Sequence, residues 1–315
     1  MTTPQRVAVL KGGRSLEREV SLRSGANVEA ALRRLGHEVI SVDADPKLVR
    51  TLRAKRPDVV FVAMHGKGGE DGTVQELLEI LSIPYTGSGV HACARSMDKV
   101  IAKAIFANAG IPTPPAFAFG EDAFRELGAA DALSEIEDRL GLPLVVKPAK
   151  QGSALGITVA REPNDVPRAL MTALSFDDHV LLERFVVGRE IAVSVLGTEH
   201  PEALPAVEAV FAGEFYDFEA RYTPGMTELV APAHLGPELA DEVARTALAC
   251  YEAVGCRGFG RVDMIIDAED RIWVLEINPI PGMTDTSLLP KAAAAAGLSF
   301  DEVIERVLGE AALGG

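Results

Sequence analysis

Nowhere in its 315 residues does the chain carry an apolar run long enough to cross a bilayer, which excludes a helical membrane span. The opening stretch MTTPQRVAVLKGG holds neither a long apolar segment nor a small-residue cleavage site, so no signal peptide is expected. Cysteine is scarce. Cys93, Cys250 and Cys256 are an odd number without metal-ligand spacing, which points to reduced thiols of a cytoplasmic protein. Positive charge is also in deficit, with 31 Lys and Arg against 46 Asp and Glu, and the net charge of −15 disfavours nucleic acid or an anionic membrane as partners. Internal repeats, low-complexity tracts and the G-x-x-x-x-G-K-[ST] phosphate loop are all missing.

What is present is an ordinary globular mix, 48% hydrophobic and 24% charged, on a chain long enough for two or three compact units. The N-terminal part alternates strand and helix. RVAVLKGG reads as a buried strand entering a glycine turn, EREVSLRSGANVEAALRRLG as an amphipathic helix, and EVISVD, DVVFVAMHG and EDGTVQELLEILS continue the pattern. Such alternation predicts a parallel, open α/β sheet with its ligand site beyond the carboxyl ends of the strands, where Gly12-Gly13-Arg14-Ser15 and His65-Gly66 fall. The proline-rich IPTPPAF from Ile111 cannot be helical and marks a break. From Gly188 the pattern turns strand-rich, interrupted by the helix PELADEVARTALACYEAVG and closed by two short helices.

The strongest chemical signal is GRVDMIIDAEDRIWVLEINP. Arg261 and Asp263 share one face of a strand, while Val262, Met264 and Ile266 face a core. On the next strand Trp273, Leu275 and Ile277 alternate with Glu276 and Asn278, which predicts Asp263 diagonally across from Glu276. Two carboxylates and an amide oxygen are then gathered together. The plain alternative is an exposed polar sheet face. Like charges this close repel, and a hard cation with oxygen ligands removes the repulsion, Mg²⁺ beside phosphates fitting best. The second signal is Lys147-Pro148-Ala149-Lys150-Gln151-Gly152-Ser153-Ala154-Leu155-Gly156, directly after the strand LPLVV. Glycines let backbone N–H groups approach a phosphate and lysines neutralise it; alone, such a loop is equally an ordinary hairpin.

Together these features carry a resemblance. Over essentially its whole length the chain resembles the ATP-grasp ligases, and among them the D-alanine–D-alanine ligase family. The matching stretches, in order, are GGRSLEREVSLRSG, then HGKGGEDGTVQ with PYTGSGVHACARSMDK, then KPAKQGSALG, then GRVDM and LEINPIPGMTDTSLLP. The resemblance implies an α/β (α+β) fold of three domains: an N-terminal parallel α/β domain (1–98), a central lid (99–187) and a C-terminal catalytic domain (188–315), the last two sandwiching ATP. It also implies two Mg²⁺ or Mn²⁺ ions and a homodimer, and leaves open a monovalent cation such as K⁺.

Site roles follow by the same resemblance. Glu17 would hold the ammonium of the first D-alanine, with His65 near the same subsite, and Ser153 and Tyr222 would link to Glu17 to close the lid. Lys99 and Lys147 would meet ATP phosphates, Glu183, Arg184 and Val186 would form the adenine hinge, and Glu190 would accept from the ribose. Arg261 and the N–H of Gly282 would stabilise the oxyanion, Ser287 and Leu288 would bind the second carboxylate, and Asp263, Glu276 and Asn278 would hold the metal. Without the resemblance, Glu17 reads equally well as an acid favoured by a helix N-terminus, the two lysines as ordinary surface residues, and Ser287 as an N-cap. Ala154, Pro279 and Arg221 depart from the family's usual serine, threonine and lysine. The implied reaction is ATP-dependent formation of D-alanyl-D-alanine for peptidoglycan through an acyl phosphate. Two alternatives are a D-alanine–D-lactate ligase, against which Tyr222 argues, and an inactive nucleotide-binding relative.

Overall fold

The run Val7-Ala8-Val9-Leu10 has no polar residue because both faces of its strand are covered, the signature of a central parallel strand. In the computed structural model, which describes residues 3–211, 213 and 225–314, this strand is β1 (Arg6–Lys11). It lies between β2 (Glu38–Asp43) and β3 (Val59–Val62), both parallel to it. Helix α1 (Arg18–Arg34) joins β1 to β2, and α2 (Leu48–Lys55) joins β2 to β3. The sheet-facing side of α1 carries Ser21, Ser24 and Gly25 beside Val28 and Leu32. The small residues admit polar stitching: Ser21 Oγ accepts from Gly12 N–H at 2.8 Å and donates to Ala63 O at 2.7 Å, fixing the helix across the carboxyl ends of β1 and β3. Helices α3 (Thr73–Leu81) and α4 (Val90–Met97) follow, and α5 (Lys99–Asn108) is capped by Asp98, which accepts from the N–H groups of Val100 and Ile101.

A four-stranded antiparallel sheet comes next, in the order β4-β7-β5-β6, from β4 (Ala116–Gly120), β5 (Leu144–Pro148), β6 (Thr158–Ala160) and β7 (His179–Arg184). Helices α6 (Glu121–Glu126), α7 (Leu133–Leu140) and α8 (Val166–Leu174) accompany it. Leu144, Val146, Leu170 and Leu182 form its core, which shares no residue with the two larger hydrophobic cores.

The last sheet runs β11-β10-β8-β12-β13 with β9 beside β8. Its strands are β8 (Arg189–Leu196), β9 (Glu202–Ala203), β10 (Val207–Phe211), β11 (Thr227–Val230), β12 (Phe259–Ile266) and β13 (Ile272–Asn278). Its inner face packs on α9 (Pro237–Val254), and α5 joins that core through Ala102 and Phe106. The closing helices α10 (Leu288–Ala295) and α11 (Phe300–Gly309) pack elsewhere: Leu289, Ala293, Val303, Ile304 and Val307 sit in one core with Val9, Leu10 and Phe61. Removing a leucine such as Leu289 from water stabilises that junction by roughly 1.5–3 kcal/mol. A backbone bridge between Tyr85 and Ala312 seals the same contact, with N···O distances of 3.1 and 3.3 Å.

Strict alternation along β13 fails at one point. Asp263 pairs with Glu276 and Met264 with Val274, so Leu275 is an extra residue and the register shifts there. Asp263 is therefore directly opposite Glu276, not diagonal to it, and Arg261 is opposite Asn278. The bulge also splits the apolar set. Val274 and Ile277 face the core, whereas Leu275 turns to a cavity on the other side and Trp273 donates its Nε1–H to Asp267 at 2.9 Å.

Candidate active site

The chain leaves β1 through Gly12 and Gly13 and enters α1 at Glu17. Glu17 holds the N-cap position, yet its side chain caps nothing. It turns instead into a cleft, where Ser153 Oγ from the loop after β5 donates to Oε1. Its other oxygen, Oε2, is buried without a hydrogen-bond partner among the described residues. A Cβ on Gly66 would come within 2.3 Å of that oxygen, and one on Gly152 within 2.9 Å, so both loops reach the carboxylate only as glycine. Burial, then the charge of Glu70, raises the Glu17 pKa to about 7; the Ser153 hydrogen bond and His65 pull it down, and Glu276 adds to the rise. The helix-terminus explanation of this acid is thus replaced by a buried carboxylate aimed at a ligand space.

His65 extends from the carboxyl end of β3. Its Nε2 is 2.9 Å from Ser24 Oγ, and its Nδ1 lies 3.4 Å from Glu70 Oε1. Ser24 Oγ also accepts from Met283 N–H at 3.1 Å, so one buried hydroxyl ties the histidine to the loop containing Gly282. Ser287 occupies the N-cap of α10, but its hydroxyl makes no capping bond to that helix. It accepts from Thr284 N–H at 3.0 Å and lies 2.8 Å from Thr284 Oγ1, leaving the helix N-terminus without a side-chain cap. Glu17, His65, Ser153, Arg261, Gly282, Ser287 and Leu288 line a single cleft together with Lys99, Glu276 and Asn278.

Arg261 and Asp263 form a two-pronged ion pair along β12, Nε to Oδ1 at 2.6 Å and the other prong at 2.8 Å. Asp263 is buried and lines neither this cleft nor the second one described below, whereas Glu276 reaches both. Asn278 Oδ1 accepts from Ile280 N–H at 2.9 Å. Asp263, Glu276 and Asn278 are all hard oxygen donors on paired strands, and that donor set suits Mg²⁺. Among the described residues, no group of three or more His, Cys, Asp or Glu side chains could hold a metal ion.

A second, larger cavity, with about 1680 Å³ of empty space against about 890 Å³, lies between the four-stranded sheet and the last sheet. Val145, Val186, Ile265 and Leu275 give it apolar walls, and Lys147, Glu183, Arg184 and Glu190 line it too. The two spaces meet at Lys99 and Glu276, which line both. Lys99 Nζ donates to Gln151 O at 2.8 Å and lies 3.2 Å from Glu276 Oε2. Contrary to the reading as surface lysines, Lys99 and Lys147 are both buried. Lys147 Nζ is 2.6 Å from Glu183 Oε1, while Glu183 Oε2 is 2.5 Å from Lys103 Nζ. Burial alone would raise the Glu183 pKa; Lys147 and Lys103 outweigh it and hold the carboxyl below its ordinary range.

Sequence reasoning passed over Ser24, Glu70 and Lys103. Ser24 and Glu70 each sit inside a stretch singled out for the resemblance. Lys103 carried a further signal, since it lies one helical turn after Lys99 and so on the same face of α5. Tyr222 and the neighbouring Arg221 lie outside the described residues.

A family model described as D-ala D-ala ligase C-terminus matches residues 105–309, and one described as D-ala D-ala ligase N-terminus matches residues 48–88. The chain belongs to the D-alanine–D-alanine ligase family. It is 44% identical over 304 residues to the D-alanine–D-alanine ligase of Carboxydothermus hydrogenoformans, covering 96% of this chain and 97% of that one. With the D-alanine–D-alanine ligase of Anaeromyxobacter dehalogenans the identity is 46% over 311 residues, covering 99% and 98%. Among solved structures, the Bacillus anthracis D-alanine–D-alanine ligase complexed with ATP superposes with a TM-score of 0.82 at 33% identity, covering 97% of each chain. The VanG D-Ala:D-Ser ligase from Enterococcus faecalis gives 0.84 at 28% identity, covering 98% of this chain and 99% of that one. The expected α/β (α+β) ATP-grasp fold is therefore the fold of this family member. No helix among its described residues is long and apolar enough to cross a membrane.

Proposed function

We propose that the protein joins two D-alanine molecules into D-alanyl-D-alanine, with ATP converted to ADP and phosphate. The observation that carries this reading is the meeting of the two cavities at Lys99 and Glu276. One is polar and holds an acid with a buried oxygen that has no partner among the described residues; the other is larger, walled by apolar residues and flanked by a buried lysine. An amino acid on one side and a nucleotide on the other would bring carboxylate and terminal phosphate together at the junction.

In the first step the carboxylate of one D-alanine attacks the γ-phosphate, the bond to the β-phosphate oxygen breaks, and an acyl phosphate and ADP result. In the second step the amine of another D-alanine attacks the acyl carbon and phosphate leaves. Glu17 binds the ammonium of the first substrate, and His65, held by Ser24, borders the same space. Arg261 and the N–H of Gly282 stabilise the charge on the acyl oxygen during amine addition. The uncapped N-terminus of α10, with Ser287 and Leu288, receives the carboxylate of the second substrate. Lys99 and Lys147 neutralise phosphate oxygens, and Glu190 accepts from the ribose hydroxyls. The lid loop through Ser153 excludes water, which would otherwise hydrolyse the acyl phosphate. Asp263, Glu276 and Asn278 would hold Mg²⁺ or Mn²⁺, whose charge offsets that of the phosphates. We also assign the protein to the cytoplasm as a homodimer.

The test is phosphate release from ATP with and without D-alanine, together with chromatographic detection of the dipeptide. D-alanine-dependent release with dipeptide formed is the expected result. Release that is absent, or that requires D-lactate as the second substrate, would overturn the reading.

A further inference from the structure

Lys103 lines neither cavity, yet it is among the more deeply buried charges of the protein, 7% exposed, and no step above uses it. It projects from α5 toward β7. Its Nζ contacts Glu183 Oε2 at 2.5 Å and donates to Thr113 Oγ1 at 2.6 Å, and Thr113 in turn donates to Val274 O on β13 at 2.8 Å. From the opposite side Lys147 takes the other oxygen of Glu183. Among the described residues, the ion pairs of both lysines end on this one carboxylate. Two ammonium groups thus share a single negative charge, and the cluster as a whole is a buried cation beside the larger cavity. Burial, followed by repulsion from Lys147, lowers the Lys103 pKa to about 8 against the pull of Glu183. An anion brought into the adjoining space would relieve that cost.

We propose that Lys103 is a positioning residue that, by sharing Glu183, leaves the charge of Lys147 uncancelled toward the nucleotide. Were Lys103 neutral, Glu183 and Lys147 would form a closed pair whose charge cancels, and the attraction for a triphosphate would fall. With Lys103 in place the carboxylate orients Lys147 without neutralising the site. The inference rests on the ATP-binding role proposed above and adds to it a residue that acts from behind the cavity wall.

Isothermal titration of the full-length protein with MgATP and, separately, with adenosine distinguishes charge from scaffold. Lys103→Gln keeps a hydrogen-bonding group but removes the charge. It should weaken MgATP roughly tenfold or more while adenosine changes by less than about twofold, since only the former senses the lost cation. Lys103→Arg keeps the charge and should hold MgATP affinity within about threefold of wild type. Parallel loss of both ligands, wild-type affinity in Lys103→Gln, or a loss beyond about tenfold in Lys103→Arg would overturn the inference. Should Lys103→Gln fail to fold, as read by circular dichroism, Lys103→Met, which keeps the stem without the charge, decides by the same two affinities: a selective MgATP loss of about tenfold supports the inference, and wild-type or parallel affinities contradict it. Wild-type protein that binds no MgATP would instead remove the ligase reading itself, and the inference with it.

Discussion

The sheet of β1–β3 and the sheet of β4–β7 join the rest of the molecule by different chemistry. The first merges with the closing helices and part of the last sheet into one apolar core, which includes Leu10, Phe61, Leu289 and Val303. The second keeps its own core and is tied to its surroundings by polar contacts: Ser153 to Glu17, Gln151 O to Lys99, and Glu183 to Lys103. Apolar burial is indifferent to ligand charge, whereas these polar contacts converge on the residues that would meet substrate and nucleotide. The difference assigns rigidity to one region and ligand responsiveness to the other.

The largest effect should come from the junction itself. Glu276→Gln keeps the shape of β13 but removes the charge that reaches both cavities, and should lower kcat/KM about a hundredfold to a thousandfold with the melting temperature little changed. Steady-state kinetics at saturating Mg²⁺ would show it, and near-normal turnover would remove Glu276 from the metal assignment. A pair of core truncations sharpens the contrast between the sheets. Leu289→Ala and Leu170→Ala should each cost about 2–5 kcal/mol, because both side chains are fully buried. Amide exchange should then accelerate across β1–β3 and the closing helices in the first variant, but only within residues 116–184 in the second. Uniform acceleration in both would show that the two cores unfold as one.

The smallest effect concerns pH. The pKa of Glu17 is raised from 4.5 to about 7, so the folded protein retains a proton that the unfolded chain has lost across that window. The stability contribution is fully present below about 4.5 and is lost as pH rises through about 7. Glu17→Gln should flatten this decline in the ligand-free protein, measured as melting temperature from pH 5 to 8. In the wild type, the KM for D-alanine should fall over the same rise, since the ammonium favours the ionised acid. A wild-type profile parallel to that of the variant would contradict the assignment of the titration to Glu17.

Residue types and their period made the parallel sheet, the glycine turns and the shared face of Arg261 and Asp263 legible, because each follows from local geometry. The bulge at Leu275 was not, since a single inserted residue leaves the composition of a strand unchanged while reversing its parity. The burial of Lys99 and Lys147 was hidden for a similar reason: a lysine looks alike on a surface and beside a buried glutamate, and Glu183 lies 36 residues from Lys147 along the chain. The alanine-rich α10 announced a helix, but not that it would share a core with β1–β3. The family motifs supplied what spacing could not, by naming Glu17, Ser153 and Ser287 as parts of one place.

The return of the closing helices to the first core has a consequence for synthesis. When the residues of β1–β3 leave the ribosome, the groups that complete their core, from Ile280 through Leu308, have not yet been made. The N-terminal sheet must therefore wait with its core incomplete, whereas the sheet of β4–β7 draws its core from residues 117–182 and can close while translation continues. The unit made first is the one finished last, and the interval between the two is when this chain is most exposed to association with its neighbours.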